Sequence, residues 1–252
     1  VSVDLIYGLP HQNTESIKTT IDTVLSLDPD RLALYHYAHL PHIFKPQRRI
    51  DTNVVPGSEE KLDMLQYCVQ TLTERGYVFI GMDHFAKPDD ELSIALKEGF
   101  LQRNFQGYST YADCDLVAIG VSSIGKIGST YSQNERDIDA YYAALDAGHL
   151  PIMRGYQLNQ DDILRRNIIQ DLMCRFSLDY QIYESVFGIP FSRYFAAELE
   201  DMKQLETLGL VRLKPNSLTV TPKGRFLIRN IAMVFDYHLR HKETKAKYSQ
   251  TV

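Results

Sequence analysis

Residues 81–110 hold the side chains best suited to chemistry. Within about thirty positions they include a histidine, several carboxylates, an amide, an arginine and aromatic rings, and an apolar run at 77–80 precedes them. Polar groups at the end of a buried strand can converge on a ligand while the strand holds them in place. This stretch is therefore predicted to form a binding or active site.

Two further segments could contact a ligand. Asp4 lies within an apolar strand, where a carboxylate needs hydrogen-bond partners, and these could belong either to a neighbouring element or to a ligand. Residues 120–125 (GVSSIG) do not form a nucleophile elbow, because Ile124 stands where the second glycine belongs, nor do they follow the P-loop pattern. Their glycines would let a planar ligand approach the backbone, or only shape a loop.

Metal binding is a possible but disfavoured interpretation of the histidines. They recur at every third residue, yet they lie on or just after a predicted strand and a proline intervenes, so convergence on zinc is not required. The cysteines are too far apart for a disulfide framework or a Cys-x-x-Cys motif, and free thiols in a reducing cytoplasm are expected. These residues are His36, His39 and His42, and Cys68, Cys114 and Cys174.

Composition indicates a globular protein of one large or two unequal domains. The chain has 252 residues, is 44% hydrophobic and carries a net charge of -5, which argues against general nucleic-acid binding. From Lys223 onward, however, seven Lys and Arg face two acidic residues, a balance of +5. Because no apolar run is long enough for a membrane span and no signal peptide is evident, a cytoplasmic location is expected. Val1 lies almost inside a strand, so preceding sequence is expected to be missing.

The first part of the chain has the rhythm of an α/β fold. Strands are predicted at 1–10, 32–39 and 77–81, with helices beginning at Thr14 and Ser58, which favours a parallel sheet with right-handed crossovers. A fourth strand is predicted at 115–120 and a helix at 136–147. Four such units make either an open sheet or half of an eight-fold barrel.

The pattern changes after residue 151. A short extended segment at 154–156 leads into helices, the first opened by Asp161 and Asp162, followed by a hairpin at 210–221 and a closing helix at 222–241. Helices followed by a two-stranded wing indicate a winged-helix-like module. Two domains are therefore predicted, at 1–150 and 151–252.

Several segments resemble bacterial oxygen-independent coproporphyrinogen III oxidases, which are radical S-adenosylmethionine (SAM) enzymes of haem biosynthesis. The resemblance covers essentially the whole chain. The matching segments are 4–10 (DLIYGLP), 37–41 (YAHLP), 81–92 (GMDHFAKPDDEL), 103–108 (RNFQGY), 120–124 (GVSSI) and 221–230 (TPKGRFLIRN).

The resemblance implies the C-terminal part of a radical SAM (β/α) barrel followed by a helical cap. It also implies a [4Fe-4S] cluster on three cysteines in C-x-x-x-C-x-x-C spacing, which splits SAM to a 5'-deoxyadenosyl radical. That radical takes a propionate hydrogen, and loss of carbon dioxide and an electron leaves a vinyl group. The family places those cysteines before the start of this chain. A fragment without its N-terminal barrel half is expected to lack the cluster, to be inactive alone and to self-associate through an exposed first strand.

The resemblance also supplies candidate site residues. Asp4, Ala38 and Ile124 match positions that contact SAM, and Phe105 and Gln106 match active-site positions. Arg103 is predicted to bind a substrate propionate, because a guanidinium group matches a carboxylate bidentately, although a surface ion pair is the alternative.

Two other functions compete with this interpretation. A haem-chaperone relative would share the architecture, but such relatives usually have a Tyr-Glu-Ile-Ser-Asn-Phe-Ala type segment where this chain has Gly81-Met-Asp-His-Phe-Ala86. A winged-helix nucleic-acid-binding module is suggested by the predicted hairpin and the basic end. A basic patch is more often a solvated face, so the oxidase remains favoured.

Overall fold

A four-stranded sheet with two helices on one face carries the first candidate residues. The computed structural model describes residues 1–111 and 114–241. The sequence signals at Thr14 and Ser58 are confirmed as helix starts, and Asn13 forms a capping box with Ser16. The elements are β1 (Ser2–Tyr7), α1 (Thr14–Leu25), β2 (Arg31–His36), α2 (Ser58–Glu74), β3 (Val78–Gly81) and β4 (His84–Ala86), with short 3-10 helices at Lys45–Arg49 and Thr52–Val54.

The strand order of this sheet, β1-β2-β4-β3, only partly matches the prediction. β1 and β2 pair in parallel as expected. β3 does not pair with β2, because β4 lies between them and is antiparallel to both. The chain reverses after Gly81 (φ +147) through Met82 (φ +50), which brings β4 back beside β2. The prediction of a purely parallel sheet was therefore wrong.

The two faces of the sheet differ in burial. Leu32, Leu34 and Phe85 are almost fully buried against α1 and α2. Each such side chain contributes about 1.5–3 kcal/mol relative to an exposed one. Asp4 lies on β1 but is exposed to solvent, so its carboxylate does not require the buried partner that the sequence suggested.

The middle of the chain forms two small antiparallel sheets. The predicted strand at 115–120 is wrong, since Leu116 forms only an isolated bridge to Lys126, and Val117 and Ile119 are 67% and 83% exposed. No described element covers these side chains. The elements are α3 (Glu91–Glu98), β5 (Gln102–Asn104), β6 (Gly107–Ser109), β7 (Ile124–Ile127), β8 (Thr130–Asn134), α4 (Ile138–Asp146) and β9 (Ile152–Gln157), in sheets of order β5-β6 and β7-β8-β9.

The C-terminal part combines helices with a small sheet of order β10-β12-β11. The helix opened by Asp161 and Asp162 and the hairpin are confirmed. The single closing helix at 222–241 is wrong, because the chain breaks into three short helices and the Asp236 side chain caps the last of them. The elements are α5 (Gln160–Arg175), β10 (Ser177–Asp179), α6 (Tyr180–Phe187), α7 (Phe191–Tyr194), α8 (Ala196–Thr207), β11 (Val211–Lys214), β12 (Ser217–Val220), α9 (Pro222–Arg225), α10 (Ile228–Met233) and α11 (Tyr237–Arg240).

The larger hydrophobic core joins the two parts of the chain. Ile80, Ala86 and Leu101 pack in one buried cluster with C-terminal side chains such as Phe195 and Phe235. Within the described ranges, no helix is both long and apolar enough to cross a membrane. The predicted basic end extends into residues 242–247, which lie outside the described residues.

Candidate active site

The β5-β6 hairpin is held against the sheet by aromatic and polar contacts. Arg103 and Tyr108 are register partners, and the Arg103 guanidinium lies 5.0 Å from the centre of the Tyr108 ring. The Tyr108 hydroxyl donates a hydrogen bond to the Met173 carbonyl (3.1 Å). At Gly81 an added Cβ would lie 2.5 Å from that hydroxyl, so the close approach of hairpin and sheet requires glycine.

A polar row crosses the sheet beside this hairpin. The strand register places Asp4 beside Ala33 and Ala33 beside His84, and the rings of Tyr35 and His84 meet edge to face at 6.1 Å. Because alternate strand residues share a face, Asp4, Tyr35 and His84 lie on the same side of the sheet. The His84 ring also meets Tyr108 edge to face at 5.3 Å, which connects this row to the hairpin.

Burial shifts the pKa values of His84 and of two nearby groups, Tyr108 and Asp83. It lowers the pKa of His84 to about 4, with a further contribution from the positive charge of Arg103, so the imidazole is neutral at pH 7. Burial raises the pKa of Tyr108, which keeps its hydroxyl protonated as a donor. Burial also raises the pKa of Asp83, although the charges of Arg229 and Arg103 oppose that shift.

A cleft of about 890 Å³ opens between the β5-β6 hairpin, β7-β8 and the C-terminal helices. On one wall Phe105 packs edge to face on Tyr131, with ring centres 5.4 Å apart. Both apolar and basic side chains line the cleft. Its apolar lining includes Ile169, Met173, Ile182, Val186, Phe187 and Met233, and the basic lining residues are Arg103, Lys126, Arg166 and Arg229.

The structure brings some of the predicted site residues together. Arg103 and Phe105 both line the cleft. Gln106 lies in the hairpin turn, where it is exposed and its backbone N–H donates to Asn104 Oδ1 (2.8 Å). Among the described residues Arg103 forms no ion pair, and its guanidinium group lies over the Tyr108 ring.

The three residues matched to SAM positions lie on different elements. Asp4 is on β1 in the polar row, and its negative charge acts on both Tyr35 and His84. Ala38 follows β2, and its carbonyl accepts a hydrogen bond from Gln47 Nε2 (3.0 Å). Ile124 begins β7 opposite Gln133. None of the three lines the cleft.

Sequence reasoning missed Arg166, which lines the cleft from α5. Its neighbour Arg165 is buried and donates to Asp161 and Glu198, so it has a structural role. The sequence signal that could have identified Arg166 is helical periodicity. Positions 166, 169, 170 and 173 all line the cleft at the i, i+3, i+4, i+7 spacing of one helix face.

The residues of this chain do not fit an iron-sulfur cluster. Cys68 and Cys174 are buried, and burial raises the pKa of each thiol to about 12, whereas Cys114 is exposed. Over residues 1–111 and 114–241, no group of three or more His, Cys, Asp or Glu side chains could hold a metal ion. The closely spaced histidines His36, His39 and His42 are among these residues, so they form no such group either.

Comparison with known proteins identifies close relatives over nearly the whole chain. A profile described as the HemN C-terminal domain matches residues 158–227. An oxygen-independent coproporphyrinogen III oxidase from Pseudomonas aeruginosa is 49% identical over 95% of this chain. The protein of the same description from Thermostichus vulcanus is 46% identical over 96% of this chain.

A solved structure supports the same relationship. Coproporphyrinogen III oxidase (HemN) from Escherichia coli, described as a radical SAM enzyme, matches with a TM-score of 0.91 and 48% identity over 94% of this chain. This chain spans 55% of that protein, 52% of the Pseudomonas relative and 75% of the Thermostichus relative. The chain therefore belongs to the oxygen-independent coproporphyrinogen III oxidase family.

Proposed function

We propose that the protein to which this chain belongs converts propionate side chains of coproporphyrinogen III to vinyl groups, forming protoporphyrinogen IX in the cytoplasm. The observation that carries this proposal is the cleft, whose lining combines basic side chains with aromatic and aliphatic ones. Its volume of about 890 Å³ is within the range of small-molecule sites, and its lining suits an apolar ring system with carboxylates at its edge.

The candidate residues have distinct roles in this proposal. Arg103 binds one propionate through its guanidinium group, and Phe105 provides an apolar surface for the ring system. Gln106, one residue further along the hairpin turn, offers a neutral donor and acceptor near the reacting side chain. SAM would supply the radical that removes the propionate hydrogen.

SAM binding is proposed for three other residues. The exposed Asp4 carboxylate would accept hydrogen bonds from amino or hydroxyl groups of SAM, while Ala38 and Ile124 would offer apolar contacts. The [4Fe-4S] cluster would be held by cysteines outside this chain, since the described cysteines do not fit one.

The proposed architecture divides the chain into residues 1–150, the C-terminal part of a radical SAM (β/α) barrel, and 151–252, a helical cap with a wing. The parallel β1-β2 pair and the β10-β12-β11 sheet support this division. β1 has a described neighbour on one side only. The missing N-terminal barrel half would pair there, and the chain alone would be inactive and prone to self-association.

The test is anaerobic turnover by the full-length protein. Incubation with coproporphyrinogen III, SAM and a reductant should release carbon dioxide and form protoporphyrinogen IX. A haem titration of the same preparation addresses the chaperone alternative. Tight stoichiometric haem binding without any release of carbon dioxide would refute the proposed reaction.

A further inference from the structure

We infer that the cleft is a two-point carboxylate site, in which Arg103 of the β5-β6 hairpin and Arg166 of α5 bind two different carboxylates of the same ligand. This inference rests on the proposed function, which provides a ligand with several propionates around an apolar ring system. It adds Arg166 as a second anchor, supplied by the C-terminal helices rather than by the hairpin.

The first observation is that both arginines have an unsatisfied buried nitrogen. Nη1 of Arg103 and Nη1 of Arg166 are buried and have no hydrogen-bond partner among the described residues. Buried guanidinium groups are normally paired, as Arg165 is with Glu198 and the Phe235 carbonyl. Two unpaired donors lining one cleft indicate that a ligand supplies their acceptors.

The second observation is that the acidic residues of the cleft already have other partners. Asp171 accepts hydrogen bonds from Tyr183 and forms an ion pair with Arg175. Asp115 accepts from the Gly128 backbone N–H (2.8 Å). Asp236 accepts from the Leu239 backbone N–H (2.9 Å). None of these contacts involves Arg103 or Arg166, so the positive charge of the two arginines remains available to an anionic ligand.

The third observation is the apolar surface that lines the same cleft as the two arginines. Ile169 and Met173 lie on the same face of α5 as Arg166 and line the cleft, while Phe105 lines it near Arg103. Gln170 Nε2 donates to Gln102 Oε1 (2.8 Å), so a direct hydrogen bond connects α5 to the hairpin. This arrangement suits a flat apolar body whose carboxylates point to the two arginines.

The test measures binding of coproporphyrin III, the oxidised and stable form of the proposed substrate, to the full-length protein by fluorescence anisotropy. Arg103→Gln and Arg166→Gln should each raise Kd about 10- to 100-fold, because each removes charge-assisted hydrogen bonds. Arg166→Lys should restore part of the affinity, since it keeps the charge but not the bidentate geometry. Arg212→Gln on β11, an exposed arginine remote from the cleft lining, is the matched control and should bind as the wild type does.

The fully methylated ester of coproporphyrin III separates charge recognition from apolar contact. It should bind weakly and with the same Kd to the wild type and to both arginine variants. If Arg166→Gln and Arg166→Lys, folded by circular dichroism, bind coproporphyrin III as tightly as the wild type, the inference is wrong. The same conclusion follows if the wild type does not bind coproporphyrin III. Arginine-dependent binding of coproporphyrin III by the full-length protein, together with no turnover, would support the site and overturn the proposed reaction.

Discussion

Replacing Gly81 by alanine tests whether the contact between the sheet and the β5-β6 hairpin is as tight as the structure indicates. At φ +147 a residue with a Cβ is strained by about 1–3 kcal/mol. The new Cβ would also lie 2.5 Å from the Tyr108 hydroxyl and 3.1 Å from Phe176 Cζ. Displacing that hydroxyl would break its hydrogen bond to Met173, worth about 0.5–1.5 kcal/mol. Gly81→Ala should therefore lower the free energy of unfolding by about 1.5–4.5 kcal/mol.

Urea denaturation of Gly81→Ala, Tyr108→Phe and the double variant measures this contact. The double variant should be less destabilised than the sum of the single variants, because Tyr108→Phe removes the oxygen that the new Cβ meets. Gly188→Ala is the matched control, since Gly188 also has a positive φ (+65) but open space around its Cβ position, and about 1–2 kcal/mol is expected. Equal losses in Gly81→Ala and Gly188→Ala, or strict additivity with Tyr108→Phe, would refute the argument.

Three further predictions follow from burial. The folded pKa of His84 is lowered from 6.5 to about 4, so the unfolded chain protonates first and about 3 kcal/mol of stability is lost as pH falls through that window. Denaturant titrations at pH 7 and pH 4.5 should show this loss of stability in the wild type but not in His84→Gln. If the stability of His84→Gln depends on pH as that of the wild type does, the prediction is wrong. Gly224→Ala should lower the free energy of unfolding by about 3 kcal/mol or more, since its Cβ would lie 2.0 Å from the Leu210 carbonyl oxygen, and a wild-type urea midpoint would contradict it. Iodoacetamide at pH 8 should label native Cys114 first, because a thiol pKa of about 12 leaves roughly one in 10⁴ of Cys68 and Cys174 as thiolate. Mass spectrometry of the labelled protein checks this. Equal labelling of all three cysteines would disprove the burial of Cys68 and Cys174.

The parts of the fold that the sequence predicted have strong local signals. β1 and β2 follow from apolar runs, and α1 follows from a capping residue and helical periodicity. The runs and the periodicity extend over several residues. β4 has only three residues, which is too short to show the alternating pattern of a strand. Its place beside β2 depends on the chain reversal at Gly81 and Met82. The opposite error occurred at 115–120, where an apolar run suggested a strand although Ile119 is exposed.

The candidate site shows the same division between local and tertiary information. Phe105 was predicted from the resemblance and Arg103 from the match between a guanidinium group and a carboxylate, and both line the cleft. Arg166 was missed because Arg165 and Arg166 are chemically identical and adjacent. Helical periodicity places them on different faces of α5, but only the tertiary structure shows which face lines the cleft. There Arg165 pairs with Asp161 and Glu198, and Arg166 Nη1 has no described partner.

The burial of His84 and the availability of Arg103 are connected. A protonated His84 beside Arg103 would place two positive charges within the same partly buried region, and burial together with Arg103 prevents this by lowering the pKa of the imidazole. The guanidinium then rests on the face of Tyr108, whose hydroxyl is fixed to Met173 on α5. α5 also carries Arg166. The hydrogen bonds of Tyr108 and Gln170 therefore attach the hairpin to the same helix that supplies Arg166, so they help to hold the two proposed carboxylate anchors in place relative to each other.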